Sequence, residues 1–282
     1  MTVLSRTRWR RVRRDEVVDV AHMLETWPCP AGGAARHMFL LSTLRSNGPS
    51  VMRLAEWRGR SAVCVVLPDQ LIVPAGDPQV LARAGVPNRG WRIMVGDAAA
   101  ADVLLERWGS DASMVVHRQR FELVDPGRVP DAQALPDPGL RPGRREDVPG
   151  LAQLAVQLHV DDGYGPDPGG SGYRAYRDRM ERAVRAGTVV CVGPPGDPLV
   201  KIERAVDCDD YGVQLAGVCV RRDRRAEGLG RASVTAVVRD ALHRHPGRPV
   251  ALHVRADNMV ALRTYATAGF VDREEWRLAV RT

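Results

Sequence analysis

The spacing Arg225-x-x-Gly228-x-Gly230 follows an apolar, β-branched run, Val218-Cys219-Val220, and leads into a stretch of helical periodicity. Glycines at such a turn let several backbone N–H groups converge with no side chain in the way, and the helix dipole adds positive potential at the same point. Arg225 and Arg231 flank the turn with full charges. This is chemistry for a phosphate. A P-loop would need a Lys-Ser or Lys-Thr pair after its second glycine, and the one lysine of the chain, Lys201, is far from this turn. A dinucleotide fingerprint would need a third glycine where Ser233 stands and an acidic residue near the end of the next strand, 248–254, which has no carboxylate. What is left is a pyrophosphate held by backbone.

The order strand, R-x-x-G-x-G, helix resembles motif A of the GNAT family of N-acetyltransferases, which cradles the coenzyme A pyrophosphate. Downstream, Asp257-Asn258-x-x-Ala261-x-x-x-Tyr265-x-x-x-Gly269-Phe270 resembles the family's next strand and helix, at a suitable distance and in the right order. The resemblance implies an α/β (α+β) fold with a mixed, mostly antiparallel sheet flanked by helices, and acetyl-CoA as the donor. It implies cofactor contacts at Val218, Cys219 and Val220 on the strand, along Arg225-Ala226-Glu227-Gly228-Leu229-Gly230-Arg231-Ala232, and at Asn258, Ala261 and Tyr265.

Amine acetylation by a thioester needs a neutral acceptor nitrogen, a polarised carbonyl and a protonated leaving thiolate. In the family, the strand before motif A, here 215–220, splays from its neighbour and takes the pantetheine arm like an added strand. Val218 and Val220 would offer it backbone groups. Tyr265 falls at the family's general-acid position; by residue type alone it reads first as a core tyrosine, and the surrounding Asp257-Asn258…Ala261…Gly269-Phe270 pattern turns the reading toward the acid. Asn258 is placed to meet the pantetheine arm or to cap its helix, two compatible roles. The base is not in its usual place, because 211–220 contains no carboxylate and Gln214 is its one strongly polar side chain. Glu203 on the preceding strand is the first candidate, with Asp161, Asp162 and His253 behind it. Glu203 and His253 also read as solvent-facing strand residues. A water chain, or an acceptor already partly neutral, would need no single base.

The acidic, Gly/Pro-rich segment 161–172 lies between the two helices that border the acceptor cleft in the family. It reads as an acceptor loop whose carboxylates attract a cationic amine, or as a solvated loop. Asp161, Asp162, Tyr164 and Gln214 are the acceptor-side candidates.

Elements that would position these residues can be read from periodicity. The second half shows a strand at 140 leading into a capped helix to about 159, a helix over 173–186, and strands over 188–192, 199–206 and 211–220. The helix after motif A carries one apolar stripe, Val234, Val237, Val238, Ala241 and Leu242, ended by His245-Pro246-Gly247. Strand 250–254, helix 258–268 and strand 276–280 follow. The first half shows helices over 15–27, 34–44, 78–84 and 98–108, and strands over 51–57, 61–67, 71–74, 91–95 and 114–124, with a hairpin turn at Arg58-Gly59-Arg60. Between the halves, 125–139 is rich in Pro and Gly and reads as a linker. The expected domains are therefore 1–125, a linker over 126–138, and a catalytic domain over 139–282.

This layout resembles tandem two-domain acetyltransferases of bacteria, the mycothiol synthase-like arrangement, with a degenerate first copy. The first half has no R-x-x-G-x-G, so it is expected not to hold coenzyme A in the family manner.

Composition excludes several classes. Five scattered cysteines without a C-x-x-C indicate neither a disulfide framework nor a zinc site, and Cys64, Cys191 and Cys219 fall in apolar strands as small core residues. The net charge of +7, carried almost wholly by arginine, suits an anionic cofactor and does not by itself indicate nucleic acid. The basic start, Arg6 to Arg14, is followed by no apolar segment, so it is not a signal peptide, and it reads as a charged strand edge. No run reaches transmembrane length. The expectation is a cytoplasmic N-acetyltransferase, monomer or homodimer, that moves an acetyl group directly from acetyl-CoA to a small-molecule or peptide amine, with no membrane, metal or nucleic acid involved. The alternative is a catalytically silent acyl-CoA-binding sensor or interaction module.

Overall fold

A computed structural model of the chain describes residues 7–109 and 111–281. Arg6, part of the basic start, lies outside them. The start forms strand β1 (Arg10–Arg11) on the edge of β2 (Met52–Trp57), where Arg10 pairs with Glu16 and Glu56. Helix α1 (Val17–Glu25) follows. The single helix expected over 34–44 is two helices, α2 (Gly33–Arg36) and α3 (Met38–Asn47). The break falls at buried His37, whose Nδ1 hydrogen-bonds the Leu24 carbonyl oxygen at 2.9 Å. Strands β2, β3 (Arg60–Val66) and β4 (Leu71–Gly76) form an antiparallel meander. Arg58 and Gly59 both take positive φ, 50° and 74°, as a two-residue hairpin turn requires. Then come α4 (Pro78–Ala84), β5 (Ile93–Asp97), α5 (Ala98–Trp108) and β6 (Met114–Val124), both helices being capped by an aspartate, Asp77 and Asp97.

The second half contains β7 (Arg141–Pro142), α6 (Val148–Asp161), α7 (Gly169–Arg185), β8 (Val189–Val192), β9 (Val200–Cys208) and β10 (Gly212–Val220). It ends with α8 (Leu229–Arg244), β11 (Val250–Arg255), α9 (Met259–Thr267) and β12 (Phe270–Arg281). Helix α7 begins four residues before its expected start at 173, so the acidic loop between the helices is shorter than 161–172.

The described residues divide into two compact units, one of residues up to 121 with 255–257 and 273–281, the other of 122–254 and 258–272. In the first the strand order is β1-β2-β3-β4-β5-β12-β6, and in the second β11-β10-β9-β8-β7. In each unit the strands pair in a mixed, mostly antiparallel way, and helices pack on them. The last strand thus differs from its expected place in the second domain. It is longer than 276–280, and its outer part pairs antiparallel with β5, Trp276 opposite Asp97 and Leu278 opposite Val95. Its Trp276, Leu278 and Ala279 are buried. Segment 125–139 is also more than a linker. Its Val129 packs against the second unit's core, and the Asp125 N–H donates to the Gly269 carbonyl at 2.8 Å.

The second unit's core lies between β8–β11 and the helices α8 and α9. The stripe read from sequence is its helical wall: Val234, Val237, Val238 and Ala241 are buried and Leu242 packs against them. All five cysteines are free, and Cys64, Cys191 and Cys219 are buried.

Candidate active site

Strands β10 and β11 run parallel but pair only where Val213, Gln214 and Leu215 face Val250, Ala251 and Leu252. Beyond Leu215, β10 continues to Val220 against β9 alone, with Cys219 opposite Lys201 and Val220 opposite Val200. The edge of β10 turned away from β9 is therefore open. Two register slips, between Gln214 and Leu215 and between Ala216 and Cys219, bend the strand at this place. Gly217 sits inside the second slip with φ +56°, a conformation that favours glycine. Since the Arg221 N–H donates to the Leu199 carbonyl at 2.8 Å, strand alternation turns the Val220 backbone groups to the open edge.

The inner face of the bulge carries charge. Lys201 is fully buried, and its Nζ donates to the Gly217 carbonyl at 2.7 Å and to Glu203 Oε1. Arg179 of α7 donates to both Glu203 oxygens at 2.6 Å. Burial pulls the Glu203 carboxyl upward, but the charges of Lys201 and Arg179 outweigh it and leave it below the usual carboxylate value. Glu203 is thus an ionised, doubly paired carboxylate beside the bulge, and not a free strand residue facing solvent.

Past Val220 the chain enters the glycine turn. Gly228 is the N-cap of α8 in the left-handed region (φ 78°, ψ −4°), and Ala226 also has positive φ, 64°. Gly228 has no side chain to cap with, so the first-turn N–H groups of Leu229, Gly230 and Arg231 have no helical acceptor and face outward at the positive end of the dipole. A Cβ on Gly230 would lie 3.2 Å from Val220 Cγ2, so this glycine lets the helix start lie close on the end of β10. The sequence offers it as a ligand position, and the structure adds a packing reason. Ala226, Glu227 and Arg231 are exposed, Ala232 is buried, and Glu227 is paired with Arg224 at 2.8 Å.

Arg225 donates to Asp161 Oδ2 at 2.5 Å and to the Val220 carbonyl at 3.2 Å, and Arg222 binds the other oxygen of Asp161. Burial raises the Asp161 carboxyl, yet hydrogen bonds from Arg222 and Arg225 bring it below its usual value. This carboxylate, an acceptor-side candidate by sequence, is engaged with the arginines of the turn. Gln157 of α6, which the sequence does not single out, ties the same region together. Its Nε2 donates to the Val220 carbonyl at 2.9 Å, and its Oε1 accepts the Arg222 N–H at 3.2 Å.

On the other side of the opening, Asn258 caps α9, its Oδ1 accepting the Ala261 N–H at 3.1 Å. Tyr265, about two turns further, is 8% exposed and packs edge-on to Phe270 with ring centroids 5.8 Å apart. Among the described residues no group hydrogen-bonds its hydroxyl. Burial, with added repulsion from Asp162, Glu122 and Cys219, raises its pKa above the usual tyrosine value, so the phenol is protonated at neutral pH. Burial likewise raises the Cys219 thiol, which argues against a thiolate nucleophile there. His253 is pushed down to about 3 by burial and is a neutral imidazole, 3.5 Å from buried Gln214. Tyr164 stacks edge-on to His159 of α6, centroids 6.1 Å apart.

The second unit thus gathers Val218–Val220, the turn, Asn258, Tyr265 and Glu203, while Asp161 and His253 are taken up by ion pairing and burial. Missed by sequence reasoning are Lys201, Gly217, Arg179 and Gln157. One signal existed for Lys201: it is the single lysine among 41 lysines and arginines.

Residues 175–270 match the Acetyltransferase (GNAT) family. Among curated proteins no sequence matches the chain. Solved structures similar in fold include an acetyltransferase from the GNAT family of Colwellia psychrerythraea, 10% identical with TM-score 0.57, covering 98% of this chain and 100% of that one. A GCN5-related N-acetyltransferase from Sphaerobacter thermophilus is 15% identical with TM-score 0.58, covering 99% of this chain and 96% of that one. A tandem GNAT protein from the clavulanic acid biosynthesis pathway is 12% identical with TM-score 0.55, covering 98% of each chain. These likenesses run through both halves and concern the fold. The match to the GNAT family model takes in the glycine turn, β10, Glu203 and Tyr265, so residues 175–270 form an acetyltransferase domain of GNAT type, and the rest of the chain shares the fold of these structures.

Proposed function

We propose that this chain transfers an acetyl group from acetyl-CoA directly to a primary amine, of a small molecule or a peptide, at the site in its second half. One observation carries the reading: β10 parts from β11 after Leu215, continues with an open edge to Val220, and leads through residues 221–228 to the N-terminus of α8, which no side chain caps. An open strand edge accepts an extended amide-bearing arm by backbone pairing, and the helix start accepts a pyrophosphate. The fit of coenzyme A is supported by Gly228, where a Cβ would meet nothing within 4 Å and the approach to the N–H groups is clear. When bound, acetyl-CoA supplies an activated thioester. Val218 and Val220 would hold its arm through backbone groups, at Val220 the N–H, since Gln157 and Arg225 donate to the carbonyl; the turn from Arg225 to Ala232 would hold its phosphates, and Asn258 and Ala261 would border it. Tyr265 would offer its phenolic proton to the leaving thiolate, and Glu203 would take a proton from the acceptor side, directly or through water. Cys219 stays a thiol and forms no acyl bond.

In this reading the first unit, which lacks the R-x-x-G-x-G turn, binds no coenzyme A, the protein works in the cytoplasm as a monomer or homodimer, and no nucleic acid takes part. Among the described residues no helix is long and apolar enough to cross a membrane. A second reading, an acyl-CoA-binding module without catalysis, is favoured by the absence of a carboxylate on β10 and the double pairing of Glu203. Calorimetry with acetyl-CoA and thiol release over a panel of amines separate the two. Binding with amine-dependent release supports transfer, binding without release for any amine supports the module, and no binding removes both.

A further inference from the structure

The chain uses arginine at every basic position but one, and that one, Lys201, is a fully buried cation beside the bulge of the open strand. Burying an ammonium requires a counter-charge and hydrogen bonds to its N–H groups. Glu203 supplies the charge, and the Gly217 carbonyl, 2.7 Å from Nζ, supplies a second acceptor. The space is shared to its limit. A Cβ on Gly217 would stand 2.4 Å from Glu203 Oε1 and 2.7 Å from Lys201 Nζ. A planar guanidinium is wider than an ammonium and hydrogen-bonds through a fixed fork. Here the cation must sit against a glycine Cα, point at one carbonyl and reach a carboxylate on its own strand. Only the compact charge meets those conditions, which accounts for lysine at this position in a chain otherwise built with arginine. Arg179, with its side chain 49% exposed, closes the other flank of Glu203.

We propose that Lys201 is a positioning residue, which is itself anchored on the Gly217 carbonyl of the bulge and fixes Glu203 beside the acceptor. The proposal rests on the acetyl-transfer reading with Glu203 as proton acceptor. The acceptor ammonium gives its proton to a Glu203 oxygen or to a water bound there, Glu203 becomes neutral while Lys201 keeps all its protons, and the proton then passes to solvent. Lys201 touches neither donor nor acceptor and acts through the carboxylate.

The test uses the full chain with Lys201→Met, Lys201→Arg, Glu203→Gln and the double variant Lys201→Met/Glu203→Gln. Glu203 is titrated by carbon NMR of labelled glutamate, assigned by its loss in Glu203→Gln, and turnover is followed against pH. In Lys201→Met the Glu203 midpoint should rise by about one pH unit or more, the usual effect of one adjacent charge. The acid limb of kcat should move up with it, while the KM for acetyl-CoA changes less than kcat. The double variant should be no slower than Glu203→Gln, and Lys201→Arg should not restore wild-type turnover. If Lys201→Met fails to fold, Gly217→Ala, which presses on the same contact, should shift the limb in the same direction. An unmoved Glu203 midpoint, full activity in Lys201→Arg, or a double variant far slower than Glu203→Gln overturns the proposal. If the wild type releases no thiol with any amine, the acetyl-transfer reading fails, and the Glu203 midpoint alone decides on Lys201.

Discussion

Arg225, the cation in front of the glycine turn, donates to Asp161 at 2.5 Å, so the last residue of α6 occupies the guanidinium that a phosphate would claim. Arg222 is held by the same carboxylate. Both arginines are about half exposed, and exposed pairs of this kind contribute about 0.2–1 kcal/mol. Asp161→Asn should therefore free two cations at little cost in stability and tighten acetyl-CoA binding by a factor of about 1.5–5 at low salt. The gain should shrink as salt is added. Calorimetry at two ionic strengths checks this, and weaker binding in the variant would show that Asp161 organises the turn instead of competing for it.

The two glycines of the turn should fail differently. At Gly228 a side chain meets open space but a left-handed backbone, so Gly228→Val should cost about 1–2 kcal/mol of stability and also abolish coenzyme A binding by covering the N–H groups. At Gly230 even a methyl group presses on Val220, so Gly230→Val should lower the melting temperature further by prising α8 from β10. Thermal melts with and without acetyl-CoA distinguish the two, and unchanged affinity in folded Gly228→Val contradicts the phosphate site.

Tyr265→Phe keeps the buried ring and removes only a hydroxyl that no described residue hydrogen-bonds. Stability should change by less than about 0.5 kcal/mol, below the usual worth of a made hydrogen bond. Turnover should fall by roughly 10²–10⁴-fold, the scale of general-acid help. Because burial holds the folded pKa above the unfolded one, the wild type should lose stability as pH rises beyond about 10, where the unfolded chain gives up this proton first. The loss should vanish in the variant. Wild-type turnover in folded Tyr265→Phe would assign the proton to another donor.

Asp147, fully buried at the start of α6, accepts from Arg141 at 2.6 and 2.8 Å and from the Arg144 and Gly196 N–H groups at 2.7 and 2.8 Å. Burial works against the ionised form, but these four donors lower its pKa to about 2. Its folded value lies below the unfolded one, so its stabilisation is complete above about pH 4 and disappears as pH falls toward 2. Asp147→Ala should cost about 3 kcal/mol at pH 7, since it strands Arg141. Urea titrations at pH 7 and pH 3 measure both effects, and equal losses at the two pH values would deny the carboxylate its role.

Cutting the chain within 131–138 should not release two independent domains. The C-terminal piece carries β12, whose Trp276 and Leu278 pair with Asp97 and Val95 of β5. After cleavage at an inserted protease site the pieces should elute together, and the C-terminal piece expressed alone should aggregate through its unpaired apolar edge. Clean separation into two folded monomers would contradict this pairing.

By itself the sequence determined whatever is local. Gly228 and Gly230 mark a turn because only glycine suits that backbone and that approach to Val220. The stripe from Val234 to Leu242 marks a buried helix face because its spacing follows the helical period, and Asn258 marks a helix start because its side chain can reach the Ala261 N–H. Contacts between residues far apart in sequence were decided by the tertiary structure alone. The register slip at Gly217 places a carbonyl over Lys201, and nothing in 211–220 announces which residue of the neighbouring strand will stand there. Asp161 reads as an acidic loop residue until the fold brings Arg222 and Arg225 to it. Strand 270–281 has the alternation of any half-buried strand, and its pairing with β5 follows from which edge was left unpaired, a property of the assembled sheet and not of the segment.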